Sequence, residues 1–294
     1  SIITLAVLFL VVIGVIFRVA FWPGIRSKSI QNQPFPKPWL EILNRRLPFF
    51  EKLPSPVQRH LQILIKIFIE DKSFVGCAGL EIDDEIRITI AAQACLLLLN
   101  RKDDPYSQLQ SILVYPTTFI ATRQIKDELG LVSTNHVALL GESWSQGKVI
   151  LAWDNVEFGV CNLEDGRNVV LHEFAHQLDN ETGTHNGAPL LRTRGAYRSW
   201  AQIFSEEFES LQAKAYDGKD SLIDKYGATN PAEFFAVCTE TFFEKPTELR
   251  RNHPELFEEL EKFYGVNRKP GKSKQRQTDG GIQAPGIQIC DLQY

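Results

Sequence analysis

The sequence predicts an α+β domain preceded by one transmembrane helix, and three observations carry that prediction. Runs of helical periodicity and strand-like runs broken by glycine occur together without a strict βαβ alternation. The N-terminal stretch is the most apolar part of the chain. The 294 residues allow one large or two small domains, and 44% hydrophobic with 11% aromatic residues suffice for a sizeable core. A net charge of −4 gives no reason to expect nucleic acid as a partner.

Taken in order, IITLAVLFLVVIGVIF and the following RVAFW run from Ile2 to Trp22. At 1.5 Å per residue, this apolar run spans roughly 30 Å, the thickness of a bilayer's hydrocarbon core. A cleaved signal peptide would need a basic region ahead of the run and a small-residue cleavage site after it. Neither is found: nothing basic precedes Ile2, and VAFWPG offers no such site. Arg18, Arg26, Lys28, Lys37, Arg45 and Arg46 lie late in the segment or after it, so the positive-inside bias predicts a single-pass protein with its main domain in the cytoplasm.

Residues 23–56 hold seven prolines, from Pro23 to Pro56, and read as a tether. VQRHLQILIKIFIE, Val57 to Glu70, reads as an amphipathic helix, with His60 a lone surface or core histidine. IRITIAAQACLLLLN begins like a strand and continues as a buried helix too short to span a bilayer. SILVYPTTFI and HVALLGESWSQGKVILAWDNV supply strands, the second ending in KVILAWD, Lys148 to Asp154. That segment reads equally as an edge or an internal strand.

RSWAQIFSEEFESLQAKAY, PAEFFAVCTETFFEK (stopped by Pro246) and PELFEELEKFYG read as helices, the last closed by Gly265. The expected domain therefore covers residues 57–265, and residues 266–294 read as a flexible tail. Five cysteines, Cys77, Cys95, Cys161, Cys238 and Cys290, include no Cys-x-x-Cys pair. They read as free thiols in a reducing compartment.

VVLHEFAHQLDN, Val169 to Asn180, sets His172, Glu173 and His176 inside an apolar helix. Three titratable groups there are costly to desolvate unless they find partners, and a metal ion is the natural one. The i, i+4 spacing puts both imidazoles on one face, where two nitrogens can share one zinc. Glu173, turned about 100° from His172, can reach a water on that metal without ligating it. An extended motif with glycine and a third histidine is not present, since those positions hold Asp179 and Thr182. His185 falls in a loop and reads as exposed.

A later glutamate is the better third ligand. Glu233 and Glu240 are seven residues apart and share a helical face. Glu233 reads equally as part of a capping box behind Asn230 and Pro231. Asp179, one turn beyond His176, either holds an imidazole or approaches solvent. The role of Glu240 stays open, and Tyr226, taken by itself, is an ordinary turn aromatic.

HEFAHQLD together with YGATNPAEFFAVCTETFF resembles the Mlc titration factor A family of zinc metallopeptidases. The likeness covers most of residues 58–265, including GESWSQGKVILAWD. It implies a zincin-like metallopeptidase domain in which His172, His176 and Glu233 ligate zinc and Glu173 is the general base. It also implies that Tyr226 is the active-site tyrosine placed to stabilise the oxyanion. A soluble enterobacterial member of that family titrates a transcriptional repressor; a membrane anchor is not an obligatory part of the family.

The expected function is thus a membrane-tethered, cytoplasm-facing zinc peptidase acting on a peptide or protein substrate. The competing expectation is a zinc-containing binding protein that sequesters a regulatory protein. Against it, a structural metal site has no use for a base at Glu173. Intramembrane proteolysis is excluded by Asp165, Arg167, Asp179 and Glu181, which flank the histidine helix.

Overall fold

Prolines set the first elements. Pro36 is the N-cap residue of α1, Lys37–Arg46, and Pro54 that of α2, Ser55–Asp71; each helix also has proline in its first turn, where no amide hydrogen is needed. A 3-10 turn, Phe50–Lys52, joins them. The chain is seen in a computed structural model that describes residues 30–265, apart from 102–105, 127–131, 140 and 145–146, together with Phe9.

The tether expected over residues 23–56 is corrected from residue 37 onward. Leu43, Leu47, Phe50 and Leu53 are buried in the same core as Leu61 and Ile65 of α2. Trp39 Nε1 donates to Asp84 Oδ2 at 2.8 Å, and Arg46 pairs with Glu85 and, at 3.2 Å, with Glu157. The prolines here start helices rather than prevent them. Ahead of α1, the buried Lys66 on α2 donates to the carbonyls of Ile30 at 2.7 Å, Gln31 at 3.3 Å and Gln33. The chain is therefore fastened to α2 from residue 30.

The apolar run of residues 1–22 and the tail of 266–294 lie outside the described residues, Phe9 apart. Among the described residues no helix is long and apolar enough to cross a membrane.

β1, Ser73–Gly76, and β2, Ser111–Tyr115, pair in parallel across the crossover helix α3, Asp84–Leu96. The start of IRITI, expected to be a strand, lies wholly inside α3. Asp83 Oδ1 accepts the Ile86 amide at 2.9 Å, and Asp84 and Glu85 occupy the first turn, where negative charge favours a helix. Almost every residue of α3 is buried, so its alternating pattern said nothing about a strand face.

β3, Phe119–Lys126, and β4, Val132–Leu139, form an antiparallel pair of their own. β5, Gly141–Trp144, then pairs antiparallel with β6, Lys148–Ala152, and the main sheet has the order β1-β2-β6-β5. KVILA is therefore an internal strand, and β5 is an edge strand, as β1 is on the other side. Trp153 and Asp154, expected to continue that strand, instead open α4, Trp153–Cys161.

Five more helices follow: α5, Val169–Asp179; α6, Arg194–Tyr216; α7, Pro231–Glu244; α8, Pro246–Asn252; and α9, Pro254–Tyr264. Pro246 does end α7, but it also opens α8, a helix that the sequence reading did not include. Gly265 closes α9 in the left-handed region with φ 66°.

α5 runs between α3 and α7 and lies against β5 and β6. On its apolar side Phe174 meets Phe68 and Tyr106, with ring centroids 5.6 and 4.9 Å apart. Below α7, Trp200 stacks on Phe204 at 3.9 Å, and Phe235 packs edge-on against Trp200. Fully burying each such side chain contributes roughly 1.5–3 kcal/mol, which anchors α5 to the core beside α2 and seats α7 on α6.

Candidate metal centre

Asn168 starts the helix that carries the histidines. Its Oδ1 accepts the Leu171 amide at 3.1 Å, the N-cap bond that fixes where α5 begins. Val170, Leu171, Phe174, Ala175 and Leu178 then face the core. His172 and His176, one turn apart, point toward α7 instead.

On α7 the Asn230 side chain accepts the Glu233 amide at 3.0 Å, with Pro231 at the first helical position. This answers whether Glu233 belongs to a cap or to the histidines. Its backbone is capped, and its side chain goes to the imidazoles. Glu233 Oε2 lies 3.0 Å from His172 Nε2 and 3.4 Å from His176 Nε2, and the two Nε2 atoms are 3.2 Å apart. Tetrahedral zinc ligands at about 2.0–2.2 Å from the metal stand roughly 3.3–3.5 Å from one another. The three donors lie close to that spacing and so fit one such ion; among the described residues they form the group whose donor atoms all lie within 4.8 Å of one another.

Glu240 is not a ligand candidate in this geometry. Its Oε1 is 2.7 Å from His172 Nδ1, the nitrogen facing away from Glu233, and its Oε2 accepts the Asn168 amide. A carboxylate there fixes the ring's orientation and tautomer. One turn further on, Glu244 accepts from the amides of Gly166 and Arg167 and from Asn168 Nδ2, each at 3.0 Å. α7 thus uses Glu240 and Glu244 to hold the start of α5, and Glu233 to face its histidines.

Asp179 does not approach solvent at the helix end; it is fully buried. Its Oδ2 accepts the Gly187 amide at 2.9 Å, tying the loop after α5 back to the helix end. Burial raises its pKa, against the Gly187 hydrogen bond and the nearby His176 and His185. His185 itself is exposed, as its loop position suggested.

Glu173 is buried beside the cluster, near enough that its charge raises the pKa of both His172 and Tyr226. Tyr226 stands in a 3-10 turn, Lys225–Ala228, with its ring centroid 6.0 Å from that of His172. The residue is 57% exposed. Burial of its inner part, then Glu233 and Glu173, push the hydroxyl pKa up, so the phenol keeps its proton to donate. Burial opposes ionisation of Glu233, but hydrogen bonds from His172 and His176 outweigh it and bring its pKa down to about 2. A carboxylate with that bias presents the charged form that a divalent cation needs.

The model for the glucose-regulated metallo-peptidase M90 family matches residues 22–265. The chain belongs to the M90 metallopeptidase family. A Synechocystis relative, the uncharacterized protein slr2042, is 42% identical over 86% of this chain and 92% of its own length. Mlc titration factor A of Escherichia fergusonii is 30% identical over 84% of this chain and 91% of its own length. The Salmonella typhimurium protein of that name is 30% identical over 83% and 90%.

The resemblance drawn from HEFAHQLD and YGATNPAEFF is therefore shown, and M90 membership implies a divalent metal. The M90 match begins where the N-terminal apolar run ends and stops at the C-cap of α9. Two residues that shape this candidate site, Asn168 and Glu244, were not singled out from sequence. The signal was available: Glu233, Glu240 and Glu244 are acidic positions in a helix rich in apolar residues, the same anomaly that marked α5.

Proposed function

We propose that this chain is a zinc-dependent peptidase, tethered to a membrane and facing the cytoplasm. The observation that carries the catalytic part is the meeting of His172, His176 and Glu233 within 4.8 Å of one another, with Glu173 and Tyr226 beside them. His172 and His176 would hold the ion as neutral imidazoles and Glu233 as a carboxylate. Zinc held there supplies Lewis acidity, polarising a scissile carbonyl and acidifying a water.

Each chain residue then has a separate task. Glu173 accepts the proton of the attacking water and delivers it to the departing amine nitrogen. The Tyr226 hydroxyl, kept protonated, donates to the carbonyl oxygen as negative charge develops on it. Glu240 keeps His172 turned so that Nε2 faces Glu233 and His176, where the ion would be held. β5, the sheet edge packed against α5, offers backbone groups with which an extended peptide can pair.

Replacing Glu173 with glutamine tests this reading, because the amide keeps the shape and cannot take the proton. Peptide hydrolysis should fall by ~10²-fold or more at unchanged zinc content, the scale of general-base catalysis. Equal cleavage by parent and Glu173→Gln at matched zinc occupancy would sink the mechanism. The name of the Mlc titration factor A relatives favours a second reading, binding of a regulatory protein. Glu173→Gln separates the two, since binding does not need the base.

The tether rests on the apolar run from Ile2 to Trp22 and on the basic residues that follow it. The full chain should sediment with membranes, and a chain starting at Pro23 should not. Sedimentation of both, or of neither, would remove the anchor from this proposal.

A further inference from the structure

The geometry points to Arg167 and Asp224 as a clasp that positions Tyr226 beside His172 of the candidate metal cluster. The inference rests on the peptidase reading for what Tyr226 does there. Tyr226 is the most exposed member of the site, so its own ring packing does little to fix it. Its turn is seated on other elements instead. Gly227 is buried with no room for a Cβ beyond tight contact with Leu211 of α6 and the Phe234 backbone of α7. Gln212 Nε2 donates to the Ala228 carbonyl at 3.3 Å.

Those contacts relate the tyrosine to α6 and α7. The histidines are on α5, and the Arg167–Asp224 pair supplies a link in that direction. Asp224 divides its two oxygens between the parts to be aligned. Oδ1 accepts the Tyr226 amide at 2.9 Å, and Oδ2 takes the Arg167 guanidinium through Nε at 2.9 Å and Nη2 at 2.7 Å. Arg167 is in turn held at the start of α5. Its amide donates to Glu244 and to Asp165 Oδ1, and the next residue, Asn168, caps the helix of His172 and His176.

One carboxylate therefore bridges the tyrosine turn and the N-terminus of the metal-binding helix. The Arg167 side chain is 71% exposed, so the ion pair adds little to stability and is screened by salt. Position is another matter. A misplacement of 1 Å in a catalytic group costs on the order of 10²-fold in rate. A contact can thus be nearly silent in stability and still govern turnover. Arg167 and Asp224 are positioning residues, since neither is among the groups that face the metal.

The test uses the zinc-loaded full chain and a double-mutant cycle. Arg167→Gln should lower kcat by ~10-fold, a partial misplacement on that scale, with KM, zinc content and thermal midpoint at parental values. Arg167→Lys should recover part of the loss. In a Tyr226→Phe background, Arg167→Gln should change nothing further, because the hydroxyl it positions is gone. Should Arg167→Gln fold poorly, Asp224→Asn replaces it. Its amide oxygen still accepts the Tyr226 amide but carries no charge for Arg167.

A second measurement does not depend on turnover. With fluorotyrosine at position 226, the fluorine resonance of Arg167→Gln should differ from the parent's, and Arg167→Lys should move it back. An identical resonance in parent and Arg167→Gln would overturn the clasp, as would equal rate losses in both backgrounds. Absence of zinc-dependent hydrolysis in the parent would instead remove the peptidase reading, with the fluorine result still deciding the clasp.

Discussion

His172 is held at both ring nitrogens, by Glu233 on the metal side and by Glu240 at Nδ1. The two carboxylates should be separable by experiment. Glu240→Gln keeps the side chain's length and one acceptor but loses the charge that orients the imidazole. Zinc affinity, measured by competition with a chelator, should weaken by about 10- to 100-fold, while a stoichiometric site remains. Glu233→Gln should lose tight binding altogether. Equal losses from both would mean that Glu240 enters the coordination sphere. The choice between these two glutamates was only half legible. Their seven-residue spacing placed them on one face, but which meets Nε2 and which meets Nδ1 depends on how far α7 is shifted along α5, and no local pattern encodes that shift.

At the scale of elements, α7 holds the start of α5 through Glu244, and this contact has a pH signature. Burial is the largest influence on Glu244; Asp165 and Glu240 add to it, Asn168 and Gly166 oppose it, and the pKa rises to about 8 from an ordinary 4.5. An acid raised in the folded state binds a proton there that the unfolded chain has already released. Stability therefore falls as pH rises from about 4.5 to about 8, and above that window the loss is complete and this group adds no further pH dependence. Glu244→Gln cannot ionise, so metal-free variant and parent should differ most in the parent's favour near the bottom of the window, with the variant gaining steadily toward the top. A difference constant across urea titrations at several pH values would show that Glu244 does not titrate there. Elements with a clear apolar stripe, such as α2, α6 and α9, were legible from the sequence. α3 was misread at its start because burial on all sides erases the stripe. α4 and α8 were missed because each is short and follows directly from a neighbouring element, β6 or α7, with no loop to mark the boundary.

At the scale of the whole molecule, the folding unit begins before the boundary that the prolines suggested. Removing residues 1–56 would take away Leu43, Leu47, Phe50 and Leu53, all buried. At roughly 1.5–3 kcal/mol each, their loss amounts to about 6–12 kcal/mol, comparable with the whole stability of a typical domain. A chain starting at Val57 should therefore be insoluble or unfolded by circular dichroism, whereas one starting at Ile30 should melt cooperatively and bind zinc. Cooperative folding of the shorter chain would make α1 an accessory. The fastening of Ile30, Gln31 and Gln33 to Lys66 has a consequence of its own. With residues 1–22 in a bilayer as proposed, only Pro23 to Ser29 remain between the membrane and the first fastened residue. Even fully extended, that length of chain reaches no more than about 25 Å. The domain would then be held close beside the lipid, at high local concentration toward anything embedded there. Such an enzyme would select its substrates by their distance from the membrane before it selected them by sequence.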